Sequence, residues 1–257
     1  MRVAFALLTF AATLALWPTA AEARKFDFKS ETFATYFGGT FGNSKVGNQA
    51  YAGSSGTGVT TDKSVQTTSS GDFGILLSGT KFAFRLGVEI IWPKAQTGII
   101  GTNAAGTELF YLNSDIMALT PMANLELVAF QTSESRFAFG GGYGMAFVTL
   151  DNTYDMTPAG VTALGKDDFI ESASARVPAM QGYMIFETLF TDTVTASITV
   201  GYRHIQVPSM KSTKATTALS GDQTDSTDIK NMDGTNRSFD LSGPFAGVAF
   251  RFYLGGG

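Results

Sequence analysis

Residues 81–93 read Lys-Phe-Ala-Phe-Arg-Leu-Gly-Val-Glu-Ile-Ile-Trp-Pro. Phe82, Phe84, Leu86, Val88, Ile90 and Trp92 share one parity, and Ala83, Arg85, Gly87, Glu89 and Ile91 share the other. Side chains two apart lie on one face of a strand, whereas a helix brings together residues three and four apart, so six apolar residues in strict alternation predict a β-strand. The second parity holds one Arg and one Glu, four residues apart, among small residues. A strand of a soluble sandwich turns a densely charged face to water; a sparse, paired face suits a narrow, filled interior.

The pattern recurs outward from this stretch. Phe137, Phe139, Gly141, Tyr143, Met145 and Phe147 alternate with Ala138, Gly140, Gly142, Gly144 and Ala146. Val194 to Tyr202 alternates with Thr195 to Arg203, Ala246 to Leu254 with Phe245 to Tyr253, and Phe33 to Phe41 with Thr32 to Thr40. Three less regular segments, 70–79, 114–129 and 178–190, bring the count to eight. Each apolar set has the 9–11 residues that a tilted strand needs to cross hydrocarbon. The connections alternate in length. Segments near 44–69, 94–113, 150–177 and 208–237 are long and rich in Gly, Ser, Thr, Asn and Asp; those at Gly79–Lys81, Gln131–Arg136 and Thr191–Thr193 are short. Four long structureless loops are rare in a compact soluble domain. They are the rule in a transmembrane barrel, with short turns on the periplasmic side and long loops outside. The expected fold is therefore an all-β, eight-stranded, antiparallel up-and-down transmembrane barrel with both termini periplasmic. A ten-stranded count follows if one long loop extends as a hairpin, and a soluble lipocalin-like barrel is the structural rival.

Composition narrows the functional classes. The chain has 257 residues, 44% hydrophobic and 16% charged, with 22 Phe, 29 Gly, one His, no Cys and a net charge of −4. The low charge and many aromatics exclude a disordered chain. The absence of Cys removes disulfides, thiolate metal sites and a Cys-borne lipid anchor, and one His argues against a multi-His metal centre. An acidic balance speaks against nucleic acid as a partner. Residues 1–23 read as a cleaved secretory signal: Arg2, then an apolar run from Val3 to Leu16 that is short for a span, then Ala21-Glu22-Ala23 as a cleavage pattern. The barrel domain is then 24–257, placed in the cell outer membrane with outer-membrane lipid around it. No cofactor, metal site or catalytic residue is expected.

The candidate site residues follow from parity. Arg85, Glu89, Glu126, Glu187, Arg203 and Arg251, with Tyr183 and Tyr253, point into the lumen. An eight-stranded barrel is just wide enough for side chains to fill it, so these charges must pair. Phe33, Phe82, Phe84, Phe137, Phe139, Phe250 and Phe252 form a periplasmic interface girdle, joined by Phe130 and Phe190. Phe41, Trp92 and Tyr202, with Phe147, form the outer one. His204 faces outward at the outer rim. Ser209 follows on the opposite parity beyond Pro208, so no Ser–His pair is expected. Asp151, Asp155, Asp167, Asp168 and Glu171, with Lys166 and Arg176, read as a solvated acidic loop. Pro121 and Pro244 are expected at bulges or strand ends, and Pro93, Pro178 and Pro208 at strand ends, because proline cannot donate to a ladder.

Gly201-Tyr202-Arg203 near the top of the penultimate strand, and the apolar-aromatic last strand with Phe250, Phe252 and Leu254, resemble the small outer-membrane barrels of the OmpA, OmpX, OmpW and opacity-protein group. The resemblance covers the chain after the signal. It implies recognition of the last strand by the barrel-assembly machinery, although Gly255-Gly256-Gly257 follows it here. It implies a structural, surface-interaction role of adhesion type for the four loops, with surface ligands as partners. The alternative it carries is an OmpW-like channel for small or hydrophobic solutes. A third is a lipid A-modifying enzyme; the closely spaced His-x-Ser of the lipid A deacylases is absent, since position 206 is Gln.

Overall fold

The computed structural model describes residues 26–53, 59–61 and 65–254. The signal read over 1–23, the glycine-rich stretch 54–58 and the terminal glycines 255–257 lie outside the described residues. Eight long strands carry the fold: β1 Phe33–Val46, β2 Val65–Ser78, β3 Phe82–Pro93, β4 Glu108–Gln131, β5 Ser135–Met156, β6 Phe169–Leu189, β7 Val194–His204 and β8 Gly243–Tyr253. Each pairs antiparallel with the next. β8 then returns to β1, from Ala34↔Tyr253 to Gly42↔Phe245. The ring closes at eight. Gln96–Asn103 forms a hairpin with the upper part of β4 and stays outside it, so a ten-stranded ring does not form.

Alternation along the strands becomes an inside and an outside. On β3, Ala83, Arg85, Glu89 and Ile91 are buried, while Phe82, Phe84, Leu86 and Trp92 are exposed. The same holds around the ring: Phe37, Phe41, Phe73, Ile75, Leu125, Leu127, Phe139, Tyr143, Met184, Phe186, Ile198, Val200 and Val248 are all exposed. On β4 this outward apolar set runs from Leu127 to Met117, which on a tilted strand spans about 25 Å. A continuous apolar belt of this size is not a surface that faces water. It is the wall of a transmembrane barrel, whose closure satisfies the backbone in lipid. No helix among the described residues is long and apolar enough to cross a membrane.

The long connections are not structureless, which corrects the sequence reading. β4, β5 and β6 have 24, 22 and 21 residues, and they rise beyond the belt as one tall wall. On β4 the belt ends at Met117, and the nine residues from Glu108 to Ile116 add about 20 Å of height. Above the belt the alternation changes phase. Outward positions become Asp115 and Asn113, or Thr149, Asp151 and Thr153; inward positions become Ile116, Leu112 and Phe110, or Val148, Leu150 and Tyr154. The outside has passed from hydrocarbon to water, and the inside has acquired an apolar filling. A short helix, α1 Pro158–Leu164, joins β5 to β6: Thr157 caps it by accepting from the Gly160 amide at 3.0 Å, and Gly165 ends it at φ 65°. Gly160 is required there, because a Cβ would lie 1.9 Å from the Leu109 carbonyl oxygen.

Two prolines depart from expectation. Pro121 sits within β4 opposite Val88, with no register shift; the β4–β5 ladder instead misses the pairs between Leu119 and Met122. Pro178 lies inside β6, opposite Met145, because β6 begins nine residues earlier than its apolar alternation suggests. The missing N–H of each proline is absorbed on one side of its strand only. Pro93 and Pro244 do stand at strand ends.

Candidate functional site

The lower lumen is built from inward positions of seven strands. Arg251 donates to Glu126 at 2.8 Å and 3.2 Å and to Glu187 at 2.8 Å. Arg136 donates to Glu187 at 2.6 Å and to Ser78 at 2.7 Å. The Tyr253 hydroxyl donates to Glu187 at 2.9 Å and the Tyr183 hydroxyl to Glu126 at 3.2 Å. Arg85 lies 3.5 Å from Asp72 and 4.0 Å from Glu126, with its guanidinium 5.1 Å from the centres of both the Tyr36 and Tyr183 rings. Higher up, Arg203 donates to Glu89 at 2.6 Å and stacks over Phe245, while Ser70 gives Glu89 a further hydrogen bond. Four carboxylates face four guanidinium groups, all within this lumen. A charge taken from water costs several kcal/mol unless it is paired and hydrogen-bonded, and the neutral count is what makes this interior tenable.

All eight lumen residues read from parity lie in this network. Arg136, Asp72 and Tyr36 belong to it as well and stand outside the candidate set, although Tyr36 lies on the inward parity of the first strand. The short segment Gln131–Arg136 reads as a turn, yet Arg136 is among the most buried side chains of the described residues. Its parity with Ala138 was the available signal. Of the girdle aromatics, Phe41, Phe82, Phe84, Trp92, Phe139, Tyr202 and Phe252 are exposed on the outer wall, whereas Phe33, Phe137 and Phe250 are half-buried among neighbouring rings and strands.

The lumen is closed at both ends. Below, Phe26 and Phe28 from the segment before β1 enter the mouth, with ring centres 4.9 Å apart and 5.3 Å and 5.9 Å from that of Tyr253. Phe28 also lies under the Arg136 guanidinium, at 5.2 Å. Above, the connections 47–53 and 205–242 fold against the inner face of the tall wall. Ala50, Tyr51, Ile205, Val207, Met210, Leu219, Ile229, Phe239 and Leu241 pack with Phe110, Leu112, Ile116, Val148, Leu150 and Tyr154 as one apolar core. Polar ties fix this cap. Tyr154 donates to the Tyr51 carbonyl at 2.6 Å, Asn152 to the Ala50 carbonyl at 3.1 Å, and Arg237 to Glu171 at 2.7 Å and Asn231 at 2.8 Å. Glu171 is thus not part of a solvated acidic loop. It points inward on β6 and is buried, while Asp151, Asp155, Asp167 and Asp168 are exposed. Burial pushes the Glu171 carboxyl up and the Arg237 guanidinium opposes that rise; burial also pushes the Tyr51 hydroxyl up to about 12. Between the two seals remains a cavity of about 30 Å³, bordered by Tyr36, Asp72, Arg85, Glu89, Asn124 and Gln181. That is room for a water or two.

His204 does not meet Ser209. Its Nδ1 lies 3.3 Å from the Ser242 hydroxyl, which accepts from the Ile205 amide at 2.9 Å. Ser242 is buried and closes the end of the β7–β8 ladder. Among the described residues no group of three or more His, Cys, Asp or Glu could hold a metal ion.

No family model and no curated protein matches the sequence. Among solved structures, the chain is similar to the outer membrane protein OprG of Pseudomonas aeruginosa, at 15% identity and a TM-score of 0.47 over 88% of this chain and 98% of that one. It is similar to Ail, the attachment invasion locus protein of Yersinia pestis, at 8% identity and 0.42 over 86% and 99%. A major outer membrane protein of Thermus thermophilus matches at 13% identity and 0.45 over 85% and 99%. At these identities and scores the likeness concerns the barrel architecture, which the closed ring already establishes.

Proposed function

We propose that the protein is an outer-membrane barrel that anchors and presents a folded surface cap, with a structural, non-enzymatic role in surface contacts. The observation that carries this reading is the sealed lumen. Phe26 and Phe28 fill the lower mouth, four ion-paired arginines fill the middle, and the apolar core of the cap fills the top. Passage of a solute needs all three seals to open together, which weighs against the channel reading. The cap is also built to present a shape. Its connections are tied to a tall β-wall by buried hydrogen bonds, and above the belt it leaves Tyr111, Val161 and Ile170 exposed on its flanks. Single-channel recording on the refolded protein in planar bilayers tests the reading. The expected record is flat, without a stable open level; a reproducible open level abolished by a lumen substitution such as Arg251→Met overturns it in favour of transport.

A further inference from the structure

The short wall opposite the tall one carries a feature that the anchor role does not use. Across four adjacent strands, Ala246, Phe41, Ser69 and Trp92 stand in one register row at the upper end of the belt. Phe41 is 75% exposed and Trp92 44%, with small Ser69 between them. One step higher, Asn43 pairs with Thr67, and the Lys94 amide donates to the Thr67 carbonyl at 3.1 Å. These two rows line an open depression of about 770 Å³ that also takes in Pro244. Lys94 is exposed, and among the described residues no carboxylate pairs with it.

We infer that this depression binds one lipid of the surrounding leaflet, a lipid with an anionic phosphate headgroup. The chain would lie on Phe41 and Trp92 across the gap at Ser69, and the phosphate would meet the Lys94 ammonium with the Asn43 amide and Thr67 hydroxyl beside it. Two arguments select this occupant. The apolar row is continuous with the belt that faces hydrocarbon, so a lipid chain is already its neighbour. On β1 from Phe41 to Asn43, and from Trp92 on β3 to Lys94 just past its end, the outward face passes from aromatic to polar or cationic within two residues, about 7 Å along the strand, so an apolar chain below and a charged headgroup above meet matching side chains. The inference rests on the transmembrane reading of the belt.

The test uses Trp92 itself. The chain has two tryptophans, and Trp17 lies in the stretch read as a cleaved signal, so the processed chain, or the full chain with Trp17→Phe, carries Trp92 alone. The protein is reconstituted in brominated phosphatidylcholine, and unbrominated phosphatidic acid is added at rising mole fraction while Trp92 quenching is followed. Phosphatidic acid is expected to displace the quencher about fivefold better than unbrominated phosphatidylcholine does. That is the factor corresponding to ~1 kcal/mol for one Lys at an anionic headgroup. Lys94→Gln should bring the ratio to about one, and the distant Lys166→Gln should leave it at fivefold, both with heat-modifiable migration intact. A ratio of about one in the parent, or a fivefold ratio that survives Lys94→Gln, overturns the inference. An absence of quenching by brominated phosphatidylcholine alone overturns instead the membrane reading beneath it.

Discussion

Replacing Glu126 with Gln removes one charge and keeps the shape. Glu126 accepts two hydrogen bonds from Arg251 and one from Tyr183, and Arg85 and Arg136 each stand 4.0 Å away. Without its charge the lumen holds four guanidinium groups against three carboxylates. Breaking a buried pair from one side costs about 3–5 kcal/mol, because the remaining ion is left desolvated; an exposed pair is worth about 0–1 kcal/mol. With a urea slope of about 2.5 kcal/mol/M, the midpoint of unfolding in lipid vesicles should fall by about 1–2 M. Asp167→Asn, on the exposed surface, should move it by less than about 0.2 M. Adding Arg251→Gln to Glu126→Gln restores neutrality and lets the two amides bond, so the double variant should recover about 1–3 kcal/mol relative to additivity. A Glu126→Gln midpoint that matches the Asp167→Asn control would refute the reasoning, since the charges would then be solvated or mobile. So would a double variant that is strictly additive.

Three further outcomes follow from the same geometry. Gly140→Ala places a Cβ 2.3 Å from the Tyr183 ring, so it should lower stability by about 1–3 kcal/mol in the same urea assay; Gly182→Ala, where a Cβ meets nothing within 4 Å, is the neutral control. Arg237→Met removes the charge that opposes burial at the Glu171 carboxyl and leaves only the Asn152 hydrogen bond against it. Its folded pKa then stands above the unfolded value, so its contribution is favourable below the unfolded pKa and is lost as pH rises through the folded one. Limited proteolysis of the cap in this variant should therefore accelerate as pH rises above the ordinary carboxylate range, and more steeply than in the parent, where Arg237 opposes the rise; a pH-independent rate in the variant removes Glu171 from the cap's stability. Phe28→Ala should loosen the lower seal, raising protease cleavage before β1 without creating an open level in bilayers; a conducting variant would make that seal the main barrier.

The sequence alone determined the barrel and its lumen. Alternation at 82–92, 137–147 and 194–203 needs only the two-residue period of a strand, and the parity of Arg85, Glu89, Glu126 and Arg251 needs only that the apolar face be outside. What it did not disclose lies where the surroundings change along one strand. At Met117 on β4 and Phe147 on β5 the outer medium passes from hydrocarbon to water, and the apolar parity passes from outside to inside, so a continuous strand reads as a strand followed by a loop. Glu171 escapes the sequence reading for that reason, since it sits beyond the stretch where outward apolar residues mark the phase; Arg136 stands at the other end of the barrel and reads as part of the short turn 131–136, although it shares the parity of Ala138. Only the tertiary structure could show that segments 47–53 and 205–242 return to fill the mouth and that Phe26 and Phe28 fill the other end. Those contacts join residues far apart in the chain, held by packing and buried hydrogen bonds that no local period encodes. The strands pair their charges across the lumen, and the fold of the connections supplies the packing that fills its two mouths.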